Sequence, residues 1–581
     1  MARTLFRSPL GKGCEPMEIS EITPLYVGVS GYIAEVCRQL EIAKMVNHMV
    51  SWDETQCKLS PGALTVALVI NILTQRRPLY RVWESFERLD LPVLFDEPVT
   101  LDSLNDDAFG RTLDRLHASG NLRRLIHSVA LRATRLLPLG IRSIHADTTS
   151  ISVAGEYELT ASDRAFLEEH PDGSVLDIRH GYSKDRRPDL KQFIYGLVVS
   201  GEGLPLLGTV QDGNTSDKVW NSQIIDEIQQ SFLDPQNVIY VADSALITPT
   251  NLDKMAQHKM RFISRLPETY HLAQELKDRA WSRGRWEAIG RLAQSEKGAV
   301  YRAQSFEETL EGRTYRFIVV HSSSLDQRKL KAIQKEIDRE RAELEKAQKQ
   351  WHKQTFQCRE DAASALTAIL KEHEDAYHTI TGEVVEEQVI HRPPGRPPKN
   401  FVPETTTQFR IQTQLVEPTE QRIHEAHAKA STFVLITSLL DQDRWNNYDI
   451  LQEYKGQISI ETRFRNLKAD PCIVDNIYVK SSRRAEALAY LFLLALIVAA
   501  YIEIKIRQEL KVRRQQFVVP GNRLTDRPTM TSIFDIMQTV LVVLVHTPEG
   551  VQRILPTNTD PRVYQILELT GLDQTAYTGK R

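Results

Sequence analysis

Cysteine is scarce and scattered: Cys14, Cys37, Cys57, Cys358 and Cys472 are the only five in 581 residues, and no two form a Cys-x-x-Cys pair. This excludes a disulfide framework and a structural zinc site, and points to a reducing cytoplasm. Long apolar runs are lacking too. The one membrane-like stretch, Ala487 to Ile502, is sixteen residues without a charge. That is short of the roughly 20 that span a bilayer, so no membrane partner is expected and the stretch reads as a core helix. The amino-terminal residues hold no apolar run of the kind a secretory signal needs. An excess of base is also absent, since 73 Lys and Arg face 76 Asp and Glu for a formal net charge of -3. Any attraction to nucleic acid therefore has to be local. Glycine and proline drop out between Arg313 and Thr381, and the chain is densely charged from Asp326 to Glu374. Two long helices in the manner of a coiled-coil hairpin are expected there.

What is present fits a soluble globular protein, with 41% hydrophobic and 26% charged residues. The length suffices for two to four domains. Residues 1–20 lack periodicity and read as a mobile tail. From 21 to 137 the pattern is helical, with helices expected over Ile33 to Met49, Pro61 to Thr74, Pro78 to Leu89, Asp106 to His117 and Leu122 to Leu137. Asn105 or Asp106 suits the cap of the fourth, and Asn121 that of the fifth. These last two carry Arg111, Arg115, Arg123, Arg124, Arg132 and Arg135, with Asp114 as the one acid past the first turn of the pair, which suits either a face laid on DNA or a small packing bundle. Beyond residue 138 the period becomes alternating. Strands are expected at Ser143 to Val153, Phe193 to Ser200, Leu206 to Gln211, Val238 to Asp243 and Arg261 to Arg265, with helices at Val219 to Phe232 and from Thr248, which makes an α/β sheet domain.

Two of these strands carry an acid inside or at the end of an apolar run. The apolar runs around Ile144 and Val238-Ile239-Tyr240-Val241-Ala242 lead into Asp147 and Asp243, and a carboxylate so placed is costly unless a cation or partner compensates it. His145, two residues before Asp147, shares its face and reads as a neighbour of that site rather than a ligand. A third acid lies in Tyr454-Lys455-Gly456-Gln457-Ile458-Ser459-Ile460-Glu461-Thr462-Arg463-Phe464-Arg465-Asn466-Leu467-Lys468. On one continuous helix at about 100° per residue, Tyr454, Gln457, Glu461, Arg465 and Lys468 share an arc of about 80°, while Ile460, Phe464 and Leu467 form a packing face. Such a stripe suits an anionic substrate held beside a metal ion; taken alone it equally describes a solvated surface helix.

These residues resemble the DDE transposases of bacterial insertion sequences, in particular the group marked by tyrosine, two residues, arginine, three residues, glutamate, six residues, lysine. Tyr454, Glu461 and Lys468 fill three of the four places at that spacing, and Gln457 stands where arginine is usual. The blocks Gly181-Tyr182-Ser183-Lys184, Arg187-Pro188-Asp189-Leu190-Lys191-Gln192 and Asp212-Gly213-Asn214-Thr215-Ser216-Asp217 are similar to those of a subgroup with an extra amino-terminal domain. The resemblance implies a ribonuclease-H-like α/β catalytic core at 138–266 and 431–581, interrupted by an insertion at 267–430 and preceded by the helical domain at 21–137. It implies that Asp147, Asp243 and Glu461 are catalytic and hold Mg2+, with Mn2+ as a substitute. Tyr454, Gln457, Arg465 and Lys468 would contact DNA. The partners implied are double-stranded DNA, as the element's terminal inverted repeats and its target, and a second copy of the chain on paired ends. The location implied is a bacterial cytoplasm, at the nucleoid when DNA is bound. A metal-dependent nuclease or resolvase on the same fold shares the three acids, and a catalytically retired DNA-binding derivative shares the rest.

Within the expected insertion, Tyr315 to Val320 is strand-like. His391-Arg392-Pro393-Pro394-Gly395-Arg396-Pro397-Pro398-Lys399 resembles an AT-hook, with Arg396 directed at a narrow A/T minor groove and Pro394 in the place of the usual first arginine. A stiff linker is the alternative. Ser431 to Leu440 returns to a strand, Ile477 to Val479 is a short extended run, and an apolar helix from Arg484 to about Arg513 closes the core. The tail from Gln515, with its apolar run Thr539 to Val545, carries no chemistry that the sequence reveals.

Overall fold

The computed structural model describes residues 19–171, 173–231, 236–292, 298–324, 327–391, 395, 404–468, 479 and 481–579. The tail at 1–18, Arg396 with most of its segment, and residues 477 and 478 lie outside them. The chain divides into two compact units, one of Met1–Ser264 with Ile450–Arg581 and the other of Arg265–Asp449.

In the first unit, strand β1 (Glu21–Tyr26) opens a segment that is otherwise helical. Helices Ser30–Gln39 and Ile42–Met49 replace the single helix expected there, because Glu41 between them takes a left-handed backbone with φ 58°. Pro61–Leu73 starts as capping rules require, the Ser60 side chain accepting from Ala63 N and Pro61 filling the first turn. Pro78 to Leu89 holds only a short 3-10 helix, Leu79–Ser85. Asn105 caps Asp106–Ala118 by accepting from Ala108 N. Asn121 does not cap Leu122–Leu136; its amide instead donates to Ser119 O at 2.9 Å and to Met49 O at 3.4 Å.

Strands β2 (Ser143–Val153), β3 (Lys191–Ser200), β4 (Pro205–Gln211), β5 (Ile239–Ala242) and β6 (Arg261–Arg265) follow. They lie in the order β4-β3-β2-β5-β6, with β2, β3 and β4 antiparallel and β2, β5 and β6 parallel. Nearly every residue of β2, β3 and β5 is buried, the mark of a sheet covered on both faces. One cover is the 32-residue helix Ser482–Arg513, which packs on β4 and on helices Pro61–Leu73, Asp106–Ala118 and Leu122–Leu136. It is long and apolar enough to cross a membrane, yet 89% of its apolar window is buried inside the protein. The basic pair of helices is thus partly a packing element: Arg123 Nε donates to Tyr490 OH at 3.3 Å, and Asp114 pairs with Arg484 at 2.7 Å.

In the second unit, β7 (Glu287–Arg291), β8 (Val300–Leu310) and β9 (Arg313–Ser322) form an antiparallel meander. The charged segment then makes helix Gln327–Trp351, β10 (Thr355–Phe356) and helix Arg359–Glu372. The expected coiled-coil hairpin is not formed. A coiled coil needs an unbroken apolar seam, and Gln327–Trp351 buries only Ile333, Ile337 and Leu344. Both helices lie instead on a ribbon of β11 (Thr379–His391) and β12 (Glu404–Val416), where Leu366 and Ile369 pack with Ile411 beside Trp351, Phe356 and Val384. Strand β13 (Thr432–Thr437) pairs antiparallel with β9.

The chain then returns to the first unit. Its last part adds the pair β14 (Phe517–Val519) and β15 (Arg523–Thr525), then β16 (Leu541–Thr547) and β17 (Gly550–Ile554). Strand β16 lies between β17 and β1. The apolar run in the tail is therefore the middle strand of a small sheet that ties the two ends of the described chain together.

Helix Ile458–Lys468 buries Ile460, Phe464 and Leu467, the expected packing face, together with Arg463. The Arg463 Nη1 meets Glu503 Oε2 on the long helix at 2.5 Å, with side chains 3% and 4% exposed, and Arg463 Nε donates to Gly203 O at 2.7 Å. Arg507 also pairs with Glu503. Removing one member of a buried pair strands the other charge, at a cost of about 3–5 kcal/mol. Arg463→Ala is expected to fall near the lower figure, because Arg507 still serves Glu503. Urea unfolding of the variant should show that loss; a loss under about 1 kcal/mol, the worth of a surface pair, would show that the contact does not anchor the helix.

Candidate active site

Strands β2 and β5 run parallel with His145 opposite Val241 and Ala146 opposite Ala242. One residue further along each stand Asp147 and Asp243. Neighbouring strands lie about 4.8 Å apart, so the register brings two carboxyl groups level in the middle of the sheet, where β5 ends. Burial, and then the charge of Asp243, raise the Asp147 carboxyl to about 6, although Lys184 and the Thr148 amide pull the other way. Burial and the charge of Asp217 likewise raise Asp243, whose side chain accepts from Ala245 N at 3.0 Å.

The third carboxylate coupled to this pair is Asp217, at the start of helix Asp217–Gln230, where Ser216 is the cap. Between them reaches Lys184. Its Nζ lies 3.1 Å from Asp217 Oδ2 and 3.7 Å from Asp147 Oδ1, and donates to Thr148 O and Thr148 Oγ1 at 2.8 Å each. Burial alone would lower the Lys184 ammonium; Asp147 and Asp217 more than offset this and raise it. Lys184 and Asp217 belong to the sequence blocks quoted above but were not singled out as site residues. The usable signal is a charge at the first turn of a capped helix in one block, and a base three residues after a glycine in the other.

Backbone contact holds those two blocks together. A Cβ on Gly213 would stand 2.1 Å from Gln192 O, and one on Gly181 would stand 2.1 Å from Gly213 O, so no side chain fits at either position. Gln192 Nε2 donates to Gly213 O at 2.7 Å and to Tyr182 O at 3.3 Å.

The stretch Tyr454 to Lys468 departs from the expected single helix. Helix Asn447–Lys455 ends, Gly456 and Gln457 turn, and Ile458–Lys468 begins, so Tyr454 does not share one straight stripe with Glu461. Gly456 packs on His145, and a Cβ there would lie 2.8 Å from its Cε1. Burial lowers His145 to about 4, and its Nδ1 has no hydrogen-bond partner among the described residues. Glu461 and Arg465 are exposed, and Tyr454 and Gln457 are half-buried. Lys468 Nζ is paired with Asp185 Oδ1 at 2.6 Å. The helix packs against β2 and β3, yet Glu461 does not complete a cluster: among the described residues no three His, Cys, Asp or Glu side chains are grouped to hold a metal ion. The structure thus brings together Asp147 and Asp243, adds Asp217, and places the Lys184 ammonium where a compensating cation was expected.

A family model described as a transposase DDE domain matches residues 144–498, more than half of the chain. The chain belongs to the DDE transposase family. A second model, described as a domain of unknown function (DUF4277), matches residues 24–131 of this transposase, the stretch that forms its amino-terminal helices. No curated protein matches the chain. The transposase is a mixed α/β enzyme, and the matched segment contains Asp147, Asp217, Asp243 and Glu461.

The raised Asp147 carboxyl has a consequence for stability. Below about pH 4 it is protonated in both the folded and unfolded chain; between there and about 6 only the folded chain keeps the proton; above 6 the folded chain carries a poorly hydrated charge. Charged Asp147 therefore subtracts from stability at neutral and higher pH. A displacement of about two on the pH scale corresponds to about 3 kcal/mol at most, and the partial exposure of the side chain reduces this. In metal-free buffer, Asp147→Asn is expected to raise the melting temperature at pH 8 and leave it nearly unchanged at pH 4. A lower melting temperature at pH 8 would contradict the strained-carboxylate account.

Proposed function

We propose that this transposase cuts DNA at the ends of its own insertion sequence and joins the exposed 3' hydroxyl to target DNA. The observation that carries this reading is the parallel register that sets Asp147 and Asp243 level within a matched DDE domain. The order β4-β3-β2-β5-β6, with three antiparallel strands followed by two parallel ones, supports a ribonuclease-H-like core at 138–266 and 431–581. The segment 267–430 is then the insertion, and 21–137 the accessory helical domain.

Asp147 and Asp243 fit a hard divalent cation: both offer carboxylate oxygens, and both are raised by burial and by a neighbouring carboxylate, Asp243 for the first and Asp217 for the second, in a way that bound Mg2+ or Mn2+ relieves. Glu461 is the third proposed ligand, offered from the helix packed on β2. When bound, the metal supplies the positive charge that activates the attacking oxygen and steadies the leaving one in an in-line displacement. The protein's own residues hold and orient. Thr148 N donates to Asp147 Oδ1 at 2.7 Å, and Ala245 N donates to Asp243, so both carboxylates are fixed before DNA arrives. Tyr454, Gln457, Arg465 and Lys468 are proposed to grip phosphates near the cleaved end, a DNA phosphate taking the place of Asp185 on Lys468. Arg396 adds a minor-groove contact, and a second copy of the chain completes the paired-end complex.

Asp147→Asn, Asp243→Asn and Glu461→Gln should each retain binding of a duplex carrying the element end in a gel-shift assay. Each should lose nicking and strand transfer by at least about a hundredfold, as removal of preorganised charge stabilisation does. Retained nicking in the Glu461 variant would remove Glu461 from the ligand set. Nicking by the wild-type protein without any joined product would favour a nuclease.

A further inference from the structure

We propose that Asp217 and Lys184 are positioning residues for the cleavage reaction: clamped together over Thr148, they hold the Asp147 carboxylate in a single orientation. This rests on the reading of Asp147 and Asp243 as the reaction centre. An ammonium has three protons, and three acceptors engage those of Lys184: Thr148 O and Thr148 Oγ1 at 2.8 Å each, and Asp217 Oδ2 at 3.1 Å. The Thr148 hydroxyl donates its own proton to Asp217 Oδ1. Lys184, Thr148 and Asp217 thus close a triangle in which every polar hydrogen has an acceptor. At 3.7 Å, Asp147 Oδ1 receives the charge of Lys184 without a hydrogen bond. The hydrogen bond it does receive is from Thr148 N at 2.7 Å. Whatever fixes the Thr148 backbone and side chain therefore fixes Asp147.

The clamp is delivered by rigid backbone. Lys184 N donates to Ser150 Oγ of β2 at 3.0 Å, so the turn is stitched to the strand that bears Asp147. Asp217 sits in the first turn of its helix, where a negative charge is favoured. The glycine-on-backbone contacts of Gly181 and Gly213 lock the two turns against each other. The engaged protons of Lys184 leave it unsuited to grip a phosphate. Both Asp217 oxygens are committed to this network, one to Lys184 and the other to the Thr148 hydroxyl, so in this proposal Asp217 serves the centre through Lys184 and Thr148, and Mn2+ titration separates that role from direct ligation.

The test compares full-length Lys184→Met, Lys184→Arg, Asp217→Asn and the Lys184→Met/Asp217→Asn double variant with wild type and Asp147→Asn. The measurements are nicking of a supercoiled plasmid carrying the gene with its native flanks at saturating Mn2+, gel-shift binding to the element end, calorimetric titration with Mn2+, and melting temperature. Lys184→Met and Asp217→Asn should each slow nicking by about 10- to 100-fold, the usual effect of removing a group that orients a metal ligand. End binding and Mn2+ binding should stay near wild type, and each variant should still melt cooperatively, with a lower melting temperature for Lys184→Met, which leaves the acids without their compensating charge. Lys184→Arg should recover part of the rate, and the double variant should be no slower than the slower single one, because the two act through one network. If Lys184→Met does not fold, Lys184→Arg and Asp217→Asn carry the same comparison.

Unchanged nicking in the single variants, or losses that multiply in the double, would overturn the proposal. Loss of Mn2+ binding in Asp217→Asn equal to that in Asp147→Asn would do the same, by making Asp217 a ligand. A wild-type protein that neither nicks the plasmid nor binds Mn2+ would overturn the reading of the centre, and this proposal with it.

Discussion

Two carboxyl groups brought level on adjacent parallel strands repel each other and lose water, and neither change favours folding. The β2–β5 ladder imposes this arrangement, because its register leaves no freedom to separate Asp147 from Asp243 without breaking backbone hydrogen bonds. Much of the surrounding sequence can be understood as a response. Lys184 brings a positive charge, Asp217 and Thr148 hold that charge in place, and two glycines allow the turns bearing these residues to touch. A strained acid pair retained at such expense in supporting structure is what a centre that binds a cation requires.

The helix bearing Glu461 is held by a separate device. Its buried Arg463 is joined to Glu503, deep in the 32-residue helix around which the first unit packs. Its start is fixed where Gly456 meets His145, two residues from Asp147 on β2. The exposed face with Glu461 and Arg465 is therefore registered against the strand carrying the first acid from one end, and against the core from the other. Lys468, at the far end, is paired with Asp185, the neighbour of Lys184. One short turn thus touches both the acid pair and the helix proposed to bind DNA.

Local signals made much of this legible in the sequence. The apolar runs ending in Asp147 and Asp243, and the strand at Arg261–Arg265, follow from side-chain pattern alone, as does Asn105 as a cap. Features that depend on distant partners were not legible. Strand β1 finds β16 more than five hundred residues away. Gly456, between helices Asn447–Lys455 and Ile458–Lys468, lies against His145, a contact that its neighbours in sequence do not announce. The burial of Arg463 depends on Glu503, forty residues on, which no local pattern announces. Asp217 and Lys184 lie in blocks that the sequence ties to a family but to no chemistry, since only the fold carries them to Asp147. The charged helices of the second unit show the opposite failure: their composition suggested a coiled coil, but their few buried residues face a β-ribbon.

The most direct test of the account is to map the metal position in the full-length protein bound to its element end. With Fe2+ in place of Mg2+, ascorbate and peroxide generate hydroxyl radicals that cut the polypeptide beside the bound ion. The account requires cuts near Asp147 on β2, near Asp243 at the end of β5 and near Glu461 on helix Ile458–Lys468, with all three lost in Asp147→Asn. Cuts confined to other parts of the chain, or cuts that persist in Asp147→Asn, would contradict it.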